Sequence, residues 1–191
     1  TNIDGLNNLV YIGGKLEISK NPALTNIDGL NNLTSIEGDL IIGIFIITYE
    51  GGGVNGGNMS LTNLDGLSNL TSVGEKVSIF NNDALTNIDG LSNITSIGEH
   101  LSIRGNNNLN ACCTFQYLTY ITQGNVSIGN NAVGCNSLEE IIGFCNGVKI
   151  TTQPFYDQNG NGILDIEEQQ LYYLPFTINP ETLYFLNYDD G

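Results

Sequence analysis

TNIDGLNNL at residues 1–9 returns as TNIDGLNNL at 25–33, as TNLDGLSNL at 62–70 and as TNIDGLSNI at 86–94. The starts lie 24, 37 and 24 residues apart, so the second unit carries 13 residues more than its neighbours. A fixed period of this length marks a repeat architecture, in which each unit buries its apolar side only against the next. Within the fourth unit the apolar positions are Ile88, Leu91, Ile94 and Ile97, then Leu101 and Ile103. Steps of three are irregular for an amphipathic α-helix, and the closing alternation is a strand signal. The Asp-Gly pair and the glycine after Ile97 read as corners. Ala, Glu and Lys are scarce while Ile, Thr, Val and Asn abound. The expectation is an all-β fold, a right-handed β-solenoid with turns of 24 residues.

Stacking such turns about 4.8 Å apart places Ile3 over Ile27, Leu64 and Ile88, and the apolar columns form one core. Polar residues stack as well. Asn8, Asn32, Asn69 and Asn93 share one position, and Asn21, Asn81 and Asn106 lie near another. Their amides can bond one another or cap turn backbones, which explains them better than the N-x-T sequons they create. Asp4, Asp28, Asp65 and Asp89 recur at a corner, as turn chemistry requires. The single histidine, His100, stands at an outward position shared with Lys15, Asp39 and Lys76. No paired carboxylates or basic catalytic residue mark a groove, so an enzyme is not expected. Ice binding through the columns of Thr25, Thr62 and Thr86 and of Thr34, Thr71 and Thr95 would need a flat doubled Thr-x-Thr face, which is missing.

Composition narrows the function classes. The 191 residues carry 20 acidic against 5 basic side chains, a formal net charge of −15. Such a chain repels phosphate backbones, which argues against nucleic acid as a partner. An apolar fraction of 40% supports a packed core. No apolar run approaches the roughly 18 residues of a membrane span, and no basic-then-apolar leader opens the sequence. Thr1 falls inside a motif, which leads us to expect a piece of a longer or processed protein.

The units resemble the receptor L domain, the leucine-rich β-helix of insulin- and EGF-receptor ectodomains. They are closer still to repeats in secreted and surface proteins of Bacteroidota, where units like LTNIDGLSNLTSIGGxLxIxxNxxL are frequent. The resemblance covers residues 1–147. It implies an extracellular, cell-surface location and export, in that phylum often by the type IX route with a C-terminal sorting domain, of which none is visible. The second unit departs from the pattern with the apolar, Gly-rich stretch at 41–57. Its Phe45, Ile46, Ile47 and Tyr49 are the candidate partner-contact residues, since exposed they would otherwise be a solubility liability.

Residues 110–147 read as a cysteine-rich cap. Phe115, Leu118, Ile121, Val126 and Ile128 continue the columns, and Leu138, Ile141 and Phe144 begin a further partial turn. Cys112, Cys113, Cys135 and Cys145 suit two disulfides in an oxidising compartment and match no usual zinc-finger spacing. A bridge between adjacent Cys112 and Cys113 would be strained. Two pairings remain open.

One motif carries chemistry of its own. In DQNGNGILDIEE at 157–168, Asp157, Asn159 and Asn161 occupy positions 1, 3 and 5 of a calcium loop. Gly162 supplies the sharp turn, Ile163 a backbone carbonyl, Asp165 the ninth position and Glu168 the bidentate twelfth. Hard oxygen donors in this order select Ca2+. The flanks, VKITTQPFY and QQLYYLPFTINP, have strand character, so residues 148–191 are expected to form a partial β module. They resemble the start of the calcium-binding B-type, Ig-like modules of serine-aspartate-repeat bacterial surface proteins, which implies structural Ca2+. The function expected is an extracellular binding or adhesion module, with a protein or glycan at a cell surface, or neighbouring modules, as partner. The alternative is a structural spacer or filament segment without its own ligand.

Overall fold

The computed structural model describes residues 2–47 and 53–145, with 45–47 and 53–55 as backbone alone. The chain divides into two units, Thr1–Lys149 and Ile150–Gly191, and all described residues belong to the first. The calcium loop and Tyr49 lie outside the described residues.

Each repeat returns the chain to its starting direction, so equivalent strands pair in parallel. β1 (Tyr11–Ile12), β3 (Ser35–Ile36), β7 (Ser72–Val73) and β9 (Ser96–Ile97) form a four-stranded sheet in that order. β2 (Leu16–Ile18), β4 (Leu40–Ile42), β8 (Val77–Phe80), β10 (Leu101–Arg104) and β11 (Val126–Gly129) form a five-stranded one. The registers run without a slip: Leu16 faces Leu40, Leu40 faces Val77, Val77 faces Leu101 and Leu101 faces Val126. Two α-helices, α1 (Cys113–Ile121) and α2 (Leu138–Cys145), flank β11 in sequence.

This overturns the all-β solenoid. The fold is α/β, with two parallel sheets and helices, and the Asp-Gly-Leu triplets are helical turns rather than plain corners. The three-residue spacing is the reason. A 3₁₀ helix has three residues per turn, so side chains at i and i+3 point the same way. Leu67 N–H donates to Leu64 O at 2.8 Å and Leu70 N–H to Leu67 O at 2.9 Å. Leu64, Leu67 and Leu70 are all fully buried. In the fifth repeat the turn lengthens into α1, which buries Phe115 and Leu118, one turn apart.

The glycine of each triplet is required by its neighbour. A Cβ at Gly29, Gly66 or Gly90 would collide with the carbonyl oxygen of Ile3, Ile27 or Leu64 in the preceding repeat. The threonines serve the same contact. Thr71 Oγ1 donates to Thr34 O at 2.9 Å and Thr95 Oγ1 to Thr71 O at 3.0 Å. So do the asparagines expected to stack: Asn32, Asn69 and Asn93 donate their amides to the carbonyls of Asn7, Asn31 and Ser68 at 2.6–2.7 Å.

A buried polar ladder runs beside the five-stranded sheet. Its members are Asn58, Asn82, Asn106 and Asn131, all buried. The backbone N–H of each of the first three donates to the next side-chain oxygen, at 3.0, 3.0 and 3.1 Å. Each amide NH2 reaches a carbonyl of a strand in an earlier repeat, at Ile18, Ile42, Ile79 and Ile103. Asn21 starts the ladder by donating its N–H to Asn58 Oδ1. The ladder residue of the third repeat is thus Asn82, not Asn81. Asn81 instead takes the left-handed backbone position before it (φ 57°), as do Lys20 and Asn130.

Gly66→Ala is expected to cost about 1–3 kcal/mol by forcing repeats two and three apart. Asn82→Leu should cost more, roughly 1–3 kcal/mol for each buried group left unpaired, Asn58 N–H and Ile42 C=O first. Urea unfolding of the two variants checks both.

Candidate functional site

Three features go beyond the stacking contacts: the added hairpin, the cross-linked end and a polar groove. In the second repeat the register resumes at Asn58, so the added segment is residues 44–56, a length of 13 that matches the longer spacing. Ile41 and Ile42 belong to β4, and Ile42 is buried core. β5 (Phe45–Ile47) and β6 (Gly53–Asn55) pair antiparallel, with Phe45 opposite Asn55. At their base Ile44 and Gly56 exchange backbone hydrogen bonds at 3.2 and 3.1 Å. Lys20 N–H donates to Gly56 O at 3.0 Å from the first repeat, and Asn81 Nδ2 to Ile44 O at 3.3 Å from the third. The hairpin base is therefore held from both sides. Of the candidate contact residues, Phe45, Ile46 and Ile47 all fall on β5.

The structure settles the cysteine pairing. Cys112 bonds Cys135 and Cys113 bonds Cys145, with Cα separations of 6.0 and 5.5 Å, and no described cysteine is free. Cys112 and Cys135 are buried among the core residues, where they replace the aliphatic side chains of earlier repeats. The second bond ties the first residue of α1 to the last of α2. The sequence reading missed both helices. For α2 a signal was present: Ser137-Leu-Glu-Glu140 is a capping pattern. Glu140 N–H donates to Ser137 Oγ at 3.1 Å, and the Glu140 carboxylate accepts from the N–H groups of Gly134 and Asn136. The backbone N–H at Glu139 and, after it, the Ser137 hydroxyl hold the Glu139 carboxyl below its ordinary range. Val126, expected in the core, is 39% exposed, and Leu138 and Phe144 are also exposed.

A shallow groove of about 550 Å³ lies over the four-stranded sheet. Its floor is Ser35, Ser72 and Ser96, directly paired across β3, β7 and β9. Tyr11, Glu37 and Gln123 contribute to its walls. The Glu37 carboxylate accepts a hydrogen bond from the Tyr11 phenol and, with slight desolvation and the nearby charge, raises its pKa. Among the described residues the three serine hydroxyls bond no protein group, whereas the threonines beside them are all engaged. The groove thus presents hydroxyl, amide and carboxylate groups, and no histidine, lysine or cysteine is among its lining residues. His100 is exposed, and its Nδ1 accepts from Asn125 N–H at 2.9 Å.

Among the described residues no group of three or more His, Cys, Asp or Glu could hold a metal ion. The Ca2+ donors Asp157, Asn159, Asn161, Ile163, Asp165 and Glu168 all lie outside them. No described helix is long and apolar enough to cross a membrane. Comparison with protein-family models, curated proteins and solved structures gives no match.

The pairing predicts how cysteine variants divide. Cys113→Ser with Cys145→Ser leaves one intact bond and no titratable thiol, whereas Cys113→Ser with Cys135→Ser leaves two free thiols. Thiol labelling of unreduced protein tells the two apart. Loss of either bond should lower stability by about 2–4 kcal/mol.

Proposed function

We propose that this chain is an extracellular binding or adhesion module of the cell surface, with the β5–β6 hairpin as its contact element. The supporting observation is the hairpin's attachment: 13 residues are added to one repeat while the sheet and ladder on both sides stay in register. An element so placed is free to vary in sequence while the scaffold holds its base fixed. The two disulfides are compatible with a secreted or extracellular protein. The polar groove adds a surface suited to neutral hydroxylated ligands, because a chain of net charge −15 disfavours anionic ones. The likeness of the repeats to L-domain-like proteins of the Bacteroidota surface agrees with this reading.

The test compares the chain with a variant in which residues 44–56 are deleted. Both are measured on arrays of neutral glycans and extracellular-matrix proteins. Binding by the full chain, weakened at least tenfold by a deletion that leaves the thermal transition in place, supports the contact role. Equal behaviour of the two proteins favours the alternative, a spacer without its own ligand.

We further propose that residues 157–168 bind a structural Ca2+. The donor set has the right chemistry: Asp157, Asp165 and Glu168 supply charge, Asn159 and Asn161 neutral oxygens, and Ile163 its carbonyl. Calcium would also relieve repulsion within a tail that carries seven acidic residues after Lys149 and no basic one. Added Ca2+ should slow proteolysis of residues 148–191, and Asp157→Ala or Glu168→Gln should remove that protection. Cleavage at equal rates with calcium and with chelator refutes the site.

A further inference from the structure

Two columns of residues shape the groove over the four-stranded sheet, and each departs from its repeat at a wall. In the first column Ser35, Ser72 and Ser96 are cross-strand neighbours, and Tyr11 holds the same register on β1. The second column lies two residues further on. The N–H groups of Glu37, Gly74, Gly98 and Gln123 each donate to a strand residue of the repeat before, at Ile12, Ile36, Val73 and Ile97. A Cβ at Gly74 or Gly98 would stand 2.0 Å from a carbonyl oxygen of that repeat, so the contact requires glycine. In the second and fifth repeats the glycine comes one residue later, as Gly38 and Gly124, and there lies close against Gly14 and Glu99. The position it leaves carries Glu37 or Gln123. Stacking accepts either order, and where the order is reversed a polar side chain lines the groove.

The result is a trough. Its centre is Ser72, Gly74, Ser96 and Gly98, and its ends carry Tyr11 with Glu37 on one side and Gln123 on the other. From β1 to β9 it crosses three strand spacings, about 14 Å, which is longer than one sugar ring. The Tyr11 ring lies over Gly13 and its phenol donates to the Glu37 carboxylate. The floor strands β3 and β7 are paired on both sides, so no peptide can add to them as a further strand. Recognition falls to side chains: hydroxyls that both donate and accept, a carboxylate, an amide and one aromatic ring. None of the lining residues is a cation that would hold a phosphate or an acidic sugar.

We propose that this groove binds a neutral oligosaccharide. Sugar hydroxyls bond Ser72, Ser96, Glu37 and Gln123, and an apolar face of a sugar ring packs against Tyr11. The proposal rests on the reading of the groove as a surface for neutral hydroxylated ligands, and it names the ligand class and the residues that select it.

The test is an NMR titration of the isotope-labelled 191-residue chain with maltohexaose, cellohexaose, laminarihexaose, xylohexaose and mannohexaose at millimolar concentration. At least one should shift the amides of Ser72, Gly74, Ser96 and Gly98. Tyr11→Ala should weaken that binding roughly tenfold. Ser72→Val, which removes a hydroxyl and keeps a strand-forming residue, should weaken it about threefold or more. Deletion of residues 44–56 should leave it unchanged, which separates the groove from the hairpin. Groove amides that respond to none of the five sugars overturn the proposal, even where hairpin-dependent binding to the arrays stands. So do shifts that are equally strong in Tyr11→Ala and Ser72→Val. Displacement of the sugar by tetralysine, with larger shifts at the same amides, would also overturn it by assigning the groove to a cation held by Glu37.

Discussion

Close approach between consecutive repeats is the constraint on which the rest of the structure depends. Carbonyl oxygens of one repeat press against glycine Cα atoms of the next at Gly29, Gly66 and Gly90. That separation lets the strands pair, the 3₁₀ turns stack and the threonine hydroxyls reach the carbonyls behind them. It also sets the spacing of the asparagine ladder, in which every amide bonds to a neighbouring repeat. The apolar columns contribute most of the driving force for burial, but burial alone does not choose a register. The ladder does choose one. A slip of one residue would leave four buried amides unpaired, and no buried side-chain nitrogen or oxygen among the described residues lacks a partner.

Much of this was legible in the sequence, because repetition reports contacts between equal neighbours. The period, the apolar columns, the stacking role of Asn32, Asn69 and Asn93, and the length of the added segment all follow from aligning the units. What was misread has identifiable causes. Steps of three were set aside as irregular for an α-helix and the Asp-Gly pairs were read as corners of an all-β coil, although three is the period of a 3₁₀ helix. The ladder was assigned to Asn81, although Asn82 stands 24 residues before Asn106 and is its equivalent; two adjacent asparagines left the choice one residue out. The capping serine of α2 was overlooked because Leu138, Ile141 and Phe144 were read as a further turn of the stack. The cysteine pairing depends on where α1 and α2 lie in space, and the spacing of four cysteines carries no such information.

The cysteines show how a repeat stack ends. An internal repeat shields both neighbours, so its core positions need only aliphatic side chains. The last repeat has a neighbour on one side, and here the pattern changes: the short turn becomes α1, and Cys112 and Cys135 enter the core bonded to each other. A covalent bond restricts the unfolded chain where no following repeat stands among the described residues.

The same logic separates structural from functional repetition. A repeated residue whose polar atoms are all engaged with the adjacent repeat is explained by stacking, as with Thr34, Thr71 and Thr95. Ser35, Ser72 and Ser96 stand one residue further on, repeat as faithfully, and point their hydroxyls away from the stack into a groove. Stacking needs the backbone there and is indifferent to the hydroxyl, and serine is not among the residues that favour strands. The hairpin is the opposite case, a segment that does not repeat yet is bonded at its base by the repeats on both sides. Both features lie where the repeat-to-repeat contact leaves side chains uncommitted. On such a scaffold those are the positions where recognition can be added without loosening the stack.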